Sequence, residues 1–237
     1  MGIIRHWWRS WKLRRAGIVK PLPDVRLATR RFGSGYGGWN LVDGLVRDDS
    51  VVYSFGLGED ISFDLDLIAT HRTVVHGFDP TPRSVEWVRR QSLPPQFQLH
   101  AEGIADFDGE ATFHPPRDPS HVSHSMVEAD GGSPGIRVPV RRLESIMASL
   151  GHRQVDILKM DIEGAEYAVI DHLATTGVRP RQFLVEFHHR FSAVGWPRTQ
   201  ASLATLRSCG YRLFWVSDSV EEFGFVHEDA LRGSIPA

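Results

Sequence analysis

A single cysteine, Cys209, stands in 237 residues. That excludes an intrachain disulfide and any zinc site built on cysteines. In a run of helical character, a lone thiol reads as a small buried hydrophobe rather than a nucleophile. No apolar stretch approaches the roughly 20 residues that span a bilayer. The basic N-terminus lacks the apolar segment that a secretory signal places after it, so cytoplasmic residence is expected. The net charge of −2 gives no global pull toward nucleic acid or membrane. No aromatic-rich strand offers a platform for bases, so no nucleic-acid partner is expected. Repeats and long low-complexity segments are also missing. What is present is an ordinary globular composition, 41% hydrophobic and 24% charged, in a chain long enough to bury a core without staples.

Acids are missing from residues 1–23, which carry Arg5, Arg9, Lys12, Arg14, Arg15 and Lys20. On a helix, Ile4, Trp7, Trp8 and Trp11 would share one face. Such a segment can lie on an anionic membrane surface as a peripheral contact. It can also dock on its own domain as a lid, or on a twin subunit in a homo-oligomer. Tryptophans bury against protein where a groove is offered, which favours docking. Residues 1–30 are therefore set apart as a basic, Trp-rich helix or lid, and 31–237 as the main domain.

The chain is organised around Val155 to Leu173. Val155, Ile157, Leu158 and Met160 form an apolar run suited to a strand covered on both faces. Asp161, Glu163, Gly164 and Glu166 follow at once, and Ala165, Val169, Ile170 and Leu173 then recur at helical spacing. This reads as a buried strand showing carboxylates at its C-terminal tip, the edge where open α/β sheets bind ligands. Glu163 and Glu166 also suit the positive end of a helix dipole and need mean nothing more.

Upstream, residues 30–40 hold four glycines beside Tyr36 and Trp39. They mark either a surface turn or a flap over a ligand. VVYSF then runs into GLGED, a strand and a turn whose Gly56 and Gly58 let the backbone approach a ligand. A third glycine is missing, and Glu59 with Asp60 would repel a pyrophosphate. Asp79 ends the next strand about twenty residues on, where such folds keep the carboxylate that binds ribose hydroxyls. Ribose with a cationic tail and no pyrophosphate points to S-adenosylmethionine.

Phe97 to Ala105 reads as a third strand whose Gly103 and Ile104 would shelve adenine. An Asp108-Gly109 turn then leads into a hairpin. Residues 117–135 form a long polar loop holding His121, His124 and Ser125. Further on, Glu186 falls within the apolar run Phe183 to Phe187, followed by His188 and His189. A carboxylate there needs a partner. It is either salt-bridged to a core arginine or part of a site at the fifth strand's tip.

VYSFGLGEDISFD, GFDPTP, GIADFDGEATF, KMDIEGAEYAVI and LVEFHHRF, with YGGW ahead of them, resemble the FkbM-like S-adenosylmethionine-dependent methyltransferases. The resemblance covers roughly residues 34–216. It implies a Rossmann-like class I methyltransferase fold: α/β, a seven-stranded mostly parallel sheet with helices on both faces. It also implies methylation of a hydroxyl on a sugar, glycolipid or other small metabolite. Gly56, Leu57, Gly58 and Asp60 would meet the methionine end, Asp79 with Pro80 the ribose, and Gly103 with Ile104 the adenine. Asp161 would lie beside the methionine or the substrate. Many members carry an acid in the first strand where this chain has Ser54, so Glu59 or Asp60 would hold the cofactor's amine. Asp161, Glu186, His188 and His124 are the candidate catalytic residues, with His188 or Asp161 preferred as base. Alternatively Asp161, Glu186 and His188 would bind a divalent ion such as Mg²⁺. A non-catalytic binding module, an N-methyltransferase and an NAD-dependent oxidoreductase are the competing functions.

Overall fold

A computed structural model describes residues 17–114, 135–191 and 193–232, with Leu13 and Arg15. The expected N-terminal tryptophan face and the loop histidines His121 and His124 lie outside the described residues.

The main sheet uses seven strands: β3 (Val51–Phe55), β4 (Val74–Phe78), β5 (Phe97–His100), β9 (Ile157–Met160), β10 (Gln182–Glu186), β11 (Tyr211–Val216) and β12 (Glu222–His227). Their order across the sheet is β11-β12-β10-β9-β3-β4-β5. β9 pairs in parallel with both β3 and β10, as a strand of uninterrupted burial must to bury both faces. β12 runs antiparallel to its two neighbours. From β3 the chain steps outward to β4 and β5, then crosses to β9 and steps the other way. The reversal lies between β3 and β9, the switch point at whose carboxyl edge open α/β sheets bind ligands.

Helices cover both faces. On one, α3 (Leu143–Leu150), α4 (Glu166–Thr175) and α5 (Trp196–Ser208) pack Ile146, Ile170 and Leu206 over Tyr53, Phe55, Leu158 and Val185. On the other, α1 (Ser62–His71), α2 (Pro82–Arg89) and α6 (Glu228–Arg232) contribute Leu67, Val88 and Ala230 against Val52, Val75, Ile157 and Leu184. The strict alternation of 157 and 158, or 52 and 53, between the two cores is the period-two geometry of a strand. Each fully buried large apolar side chain contributes about 1.5–3 kcal/mol. Pro82 opens α2 at its first turn, where its missing N–H costs nothing. Among the described residues no helix is long and apolar enough to cross a membrane.

Two expectations need correction. Phe97 to Ala105 is not one strand: β5 stops at His100, and β6 (Gly103–Ile104) joins a separate three-stranded sheet. The Asp108-Gly109 step does not close a simple hairpin either. β7 (Gly109–Phe113) pairs antiparallel with β8 (Ile136–Arg141), and β8 lies between β6 and β7. The Asp108 carboxylate instead accepts from the Arg142 backbone N–H at 2.8 Å, its guanidinium at 2.7 Å and Ser145 Oγ at 2.8 Å, anchoring the start of α3.

Candidate active site

β1 (Arg30–Phe32) and β2 (Trp39–Leu41) pair antiparallel, so the glycine-rich stretch is a hairpin tip. It is seated on the start of α1. Gly33 N–H donates to Asp66 Oδ2 at 3.0 Å, Ser34 N–H to Ser62 Oγ at 2.8 Å, and Ser34 Oγ–H to Asp60 Oδ2 at 2.7 Å. A side chain at position 37 would run into the Asp60 carboxyl, 2.7 Å from its Cγ, which is why glycine stands there. Tyr36 projects from this tip, 92% exposed. Partial desolvation and then the charges of Asp161, Glu186, Glu163 and Asp60 raise its phenol above the usual range, so the hydroxyl end lies in the field of those acids.

Behind the hairpin the β3 tip turns sharply. Gly56 has φ +79°, and a Cβ there would lie 1.7 Å from the Asp161 carbonyl oxygen. The tips of β3 and β9 thus touch through their backbones. Asp79, 4% exposed at the β4 tip, closes the turn. Its Oδ2 accepts from Leu57 N–H and Gly58 N–H, each at 3.0 Å. Its Oδ1 accepts from Thr81 N–H at 2.9 Å and Thr81 Oγ1–H at 2.6 Å. Four donors fill the acceptor capacity of one carboxylate. The amides that a dinucleotide fold offers to pyrophosphate are therefore already engaged here.

The remaining acids gather at the β9 and β10 tips. Glu163 takes φ 51° and Gly164 φ 102°, a left-handed pair that folds the chain back after Asp161. A non-glycine residue in that region is uncommon and held by its surroundings. Glu166, fully buried, accepts from Gly164 N–H and His188 N–H, each at 2.8 Å. It staples the two tips together. His188 Nδ1 lies 3.3 Å from Glu166 Oε1, and Nε2 lies 3.3 Å from Glu163, 3.7 Å from Asp161 and 4.0 Å from Glu186. Burial opposes charge on this ring, but the Glu166 bond and charge, with Asp161 and Glu163, outweigh it and raise His188 to about 10. Burial, then the charge of Asp161, raises Glu186 to about 8, with His188 opposing and Glu222 and Glu221 reinforcing.

The sequence-predicted residues divide accordingly. Gly56, Asp79, Asp161, Glu186 and His188 meet at one edge, on the tips of β4, β3, β9 and β10. Asp60 is occupied by Ser34 and by Ser62 N–H at 2.8 Å, and Glu59 by Arg83 at 2.8 Å. That leaves Asp161, 33% exposed and 3.7 Å from His188, as the remaining acid for a cationic tail. Leu57 and Ile104 turn their side chains into the two cores. A Cβ added at Gly103 would lie 3.1 Å from the Pro80 ring, so glycine keeps this backbone close to Pro80. His188, held as a cation among four carboxyl groups, has no free lone pair for a substrate proton, which argues against the base role expected of it. The charges that bear most on Glu186 are those of Asp161, His188, Glu222 and Glu221, not an arginine's. Asp64 and Lys159 were not singled out from sequence, and Glu166 and Tyr36 were named there without a catalytic role. A lysine inside an apolar strand was the signal for the second of these.

Asp161, Glu186 and His188 each offer a ligand atom within 4.8 Å of the others. Two oxygens and an imidazole suit Mn²⁺ or Zn²⁺ better than Mg²⁺, which prefers oxygen alone.

Residues 49–213 match the methyltransferase FkbM domain model. The probable methyltransferase-like protein 24 of Rattus norvegicus is 30% identical over 154 residues, 64% of this chain and 35% of that protein. Its Homo sapiens counterpart is 29% identical over 167 residues, 69% of this chain and 38% of that protein. The chain thus spans little more than a third of the length of these two relatives. The 2-O-methyltransferase NoeI of Sinorhizobium fredii is 25% identical over 189 residues, 72% of each chain. The Methanococcus jannaschii fibrillarin pre-rRNA processing protein superposes with a TM-score of 0.48 at 11% identity, over 89% of this chain and 86% of that one. So distant a likeness carries nothing about chemistry.

Proposed function

The chain belongs to the FkbM methyltransferase domain family, and from that premise we propose that it is an S-adenosylmethionine-dependent O-methyltransferase acting on a sugar, glycolipid or other small hydroxylated metabolite. The observation that carries the reading is the pairing of an amide-satisfied glycine turn with the partly exposed carboxyl groups of Asp161 and Glu186 at the carboxyl edge of the sheet. Such a surface suits an adenosyl sulfonium and disfavours a pyrophosphate. The 2-O-methyltransferase named above supports hydroxyl over amine as acceptor.

When bound, S-adenosylmethionine supplies a methyl group on a positively charged sulfur. The Gly56 turn would carry its methionine end, with the Asp161 carboxylate complementary to its charge. Glu186 would take the acceptor's hydroxyl proton. Its carboxyl sits beside Asp161, 22% exposed, and its raised affinity for protons brings it near working pH, where a general base is most effective. His188 holds the acids together as their internal cation, and Tyr36 overhangs them. Alignment of the two reactants would supply much of the remaining acceleration.

A second reading replaces the proton on His188 with a divalent ion held by Asp161, Glu186 and His188, Glu166 then orienting the imidazole from behind. One experiment addresses both. Calorimetry with S-adenosylmethionine and NAD, followed by labelled-methyl transfer to a panel of glycans and small alcohols with and without EDTA, should show the first ligand bound, the second not, and transfer surviving chelation. Tighter binding of NAD would overturn the proposal. Loss of transfer on chelation, restored by Mn²⁺ or Zn²⁺, would select the metal version.

A further inference from the structure

Beneath the glycine turn lie two buried ionisable groups, Lys159 and Asp64, that the proposed reaction does not use. Lys159 is in the middle of β9 and 6% exposed. Its register partner on β3 is Ser54, so both point to the face covered by α1. There the Lys159 ammonium donates to the Gly56 carbonyl at 2.6 Å and the Phe55 carbonyl at 3.3 Å. It also stands 5.9 Å from the centre of the Trp39 ring, on the hairpin whose tip overhangs the site. Asp64 enters from α1, 2% exposed, and burial raises its carboxyl to about 6 while the Lys159 charge pulls it back. Ser54 Oγ and Asp64 Oδ1 are buried without a well-formed hydrogen bond.

Burying an ammonium is costly unless it is hydrogen-bonded or paired, so one kept inside a sheet calls for a reason. Here its task is visible in the turn. Asp79 holds the amides of Leu57 and Gly58 from the β4 side. Lys159 holds the carbonyls of Phe55 and Gly56 from the opposite side. Both polarities of the turn's main chain are thus gripped by the protein's own charges. A turn fixed in this way needs no ordering when a ligand arrives, and preorganisation of that kind raises affinity by removing an entropic cost.

We propose that Lys159 is a positioning residue for the cofactor turn, acting through the Gly56 carbonyl, with Asp64 as its buried counter-charge. The assignment rests on the reading that S-adenosylmethionine lies on this turn, which wild-type binding tests separately. Lys159→Met removes the grip on the carbonyls. Affinity for S-adenosylmethionine and for S-adenosylhomocysteine should fall at least tenfold, to similar extents, because the ammonium acts on the turn and not on the sulfur. With cofactor saturating, the acceptor KM should stay within twofold. Lys159→Arg, which keeps donors over the same carbonyls, should recover part of the loss.

Lys159→Met also removes the positive charge that acts on buried Asp64, so the single variant can unfold for that reason alone. The double variant Asp64→Asn/Lys159→Met removes both charges and leaves none stranded, which proteins tolerate well. It should melt within a few degrees of wild type and still bind both ligands at least tenfold more weakly. Recovery of wild-type affinity in the double variant would overturn the proposal, showing Lys159 to be only the partner of Asp64. Wild-type affinity in Lys159→Met alone would do the same. Failure of the wild type to bind either ligand would sink the functional reading instead.

Discussion

Gly56→Ala should abolish cofactor binding, with affinity reduced at least a hundredfold, while Gly58→Ala should change it less than tenfold. Both glycines have positive φ, 79° and 54°. The left-handed conformation itself costs an alanine only about 1–2 kcal/mol. The difference lies in what a methyl group would meet. At Gly58 nothing stands within 4 Å, whereas at Gly56 the Asp161 carbonyl oxygen would be 1.7 Å away and its carbon 2.8 Å. That oxygen cannot retreat alone. Asp161 N–H donates to the Phe55 carbonyl at 3.1 Å and Gly56 N–H to the Phe78 carbonyl at 3.0 Å, so the tips of β9, β3 and β4 would have to part together. Asp161 would leave its place at the sheet edge, and the Asp79 bonds to the turn would break. Calorimetry with S-adenosylmethionine, beside thermal melts of both variants, reads the contrast. Equal affinities in the two variants would mean that the β3–β9 contact does not shape the site.

Glu186→Gln should lower methyl transfer at least a hundredfold, the usual range for losing a general base, leave cofactor affinity within twofold, and yet stabilise the fold in alkali. The sign follows from proton binding. Glu186 is raised from 4.5 to about 8, so between those values the native state holds a proton that the unfolded state has released. Stability must therefore fall as pH rises through that window. His188, raised from 6.5 to about 10, adds a loss of the same sign: its stabilisation is full below 6.5 and disappears as pH climbs through 10. Wild type should thus melt lower at pH 9 than at pH 5. Glutamine mimics the protonated acid at every pH, so the variant should lose the lower window, keep the histidine's, and melt above wild type at pH 9. An active variant, or one whose melting profile matches wild type, would remove Glu186 from the mechanism. An enzyme that carries such a strained group for function exchanges stability for activity in a familiar way.

The strand tips were legible from sequence because each obeys a local rule. The apolar run ending at Asp161, the Gly56 turn and the Asp79 strand end are patterns of a few consecutive residues. The helices after them follow from spacing. What was illegible depends on partners distant in the chain. β7 reads locally as the second arm of a hairpin, but its partner strand begins only at Ile136. The break between His100 and Gly103 follows from β6 pairing with β8, which no periodicity in Phe97 to Ala105 reveals. Asp79 looked free to hold ribose because its four donors come from the turn and from Thr81, and are known only in three dimensions. His188 looked like a base because its acids arrive from β9, the turn behind it, α4 and β10. Lys159 was passed over within an apolar run, where a charge on a strand buried on both faces was itself the clue.

The most direct test is a crystal structure with S-adenosylhomocysteine bound. The ligand should lie along Gly56 to Gly58 at the carboxyl edge between β3 and β9, with its sulfur facing the side where Asp161 and Glu186 converge. A ligand found elsewhere on the molecule, or seated on the turn with both carboxylates directed away from it, would contradict the account.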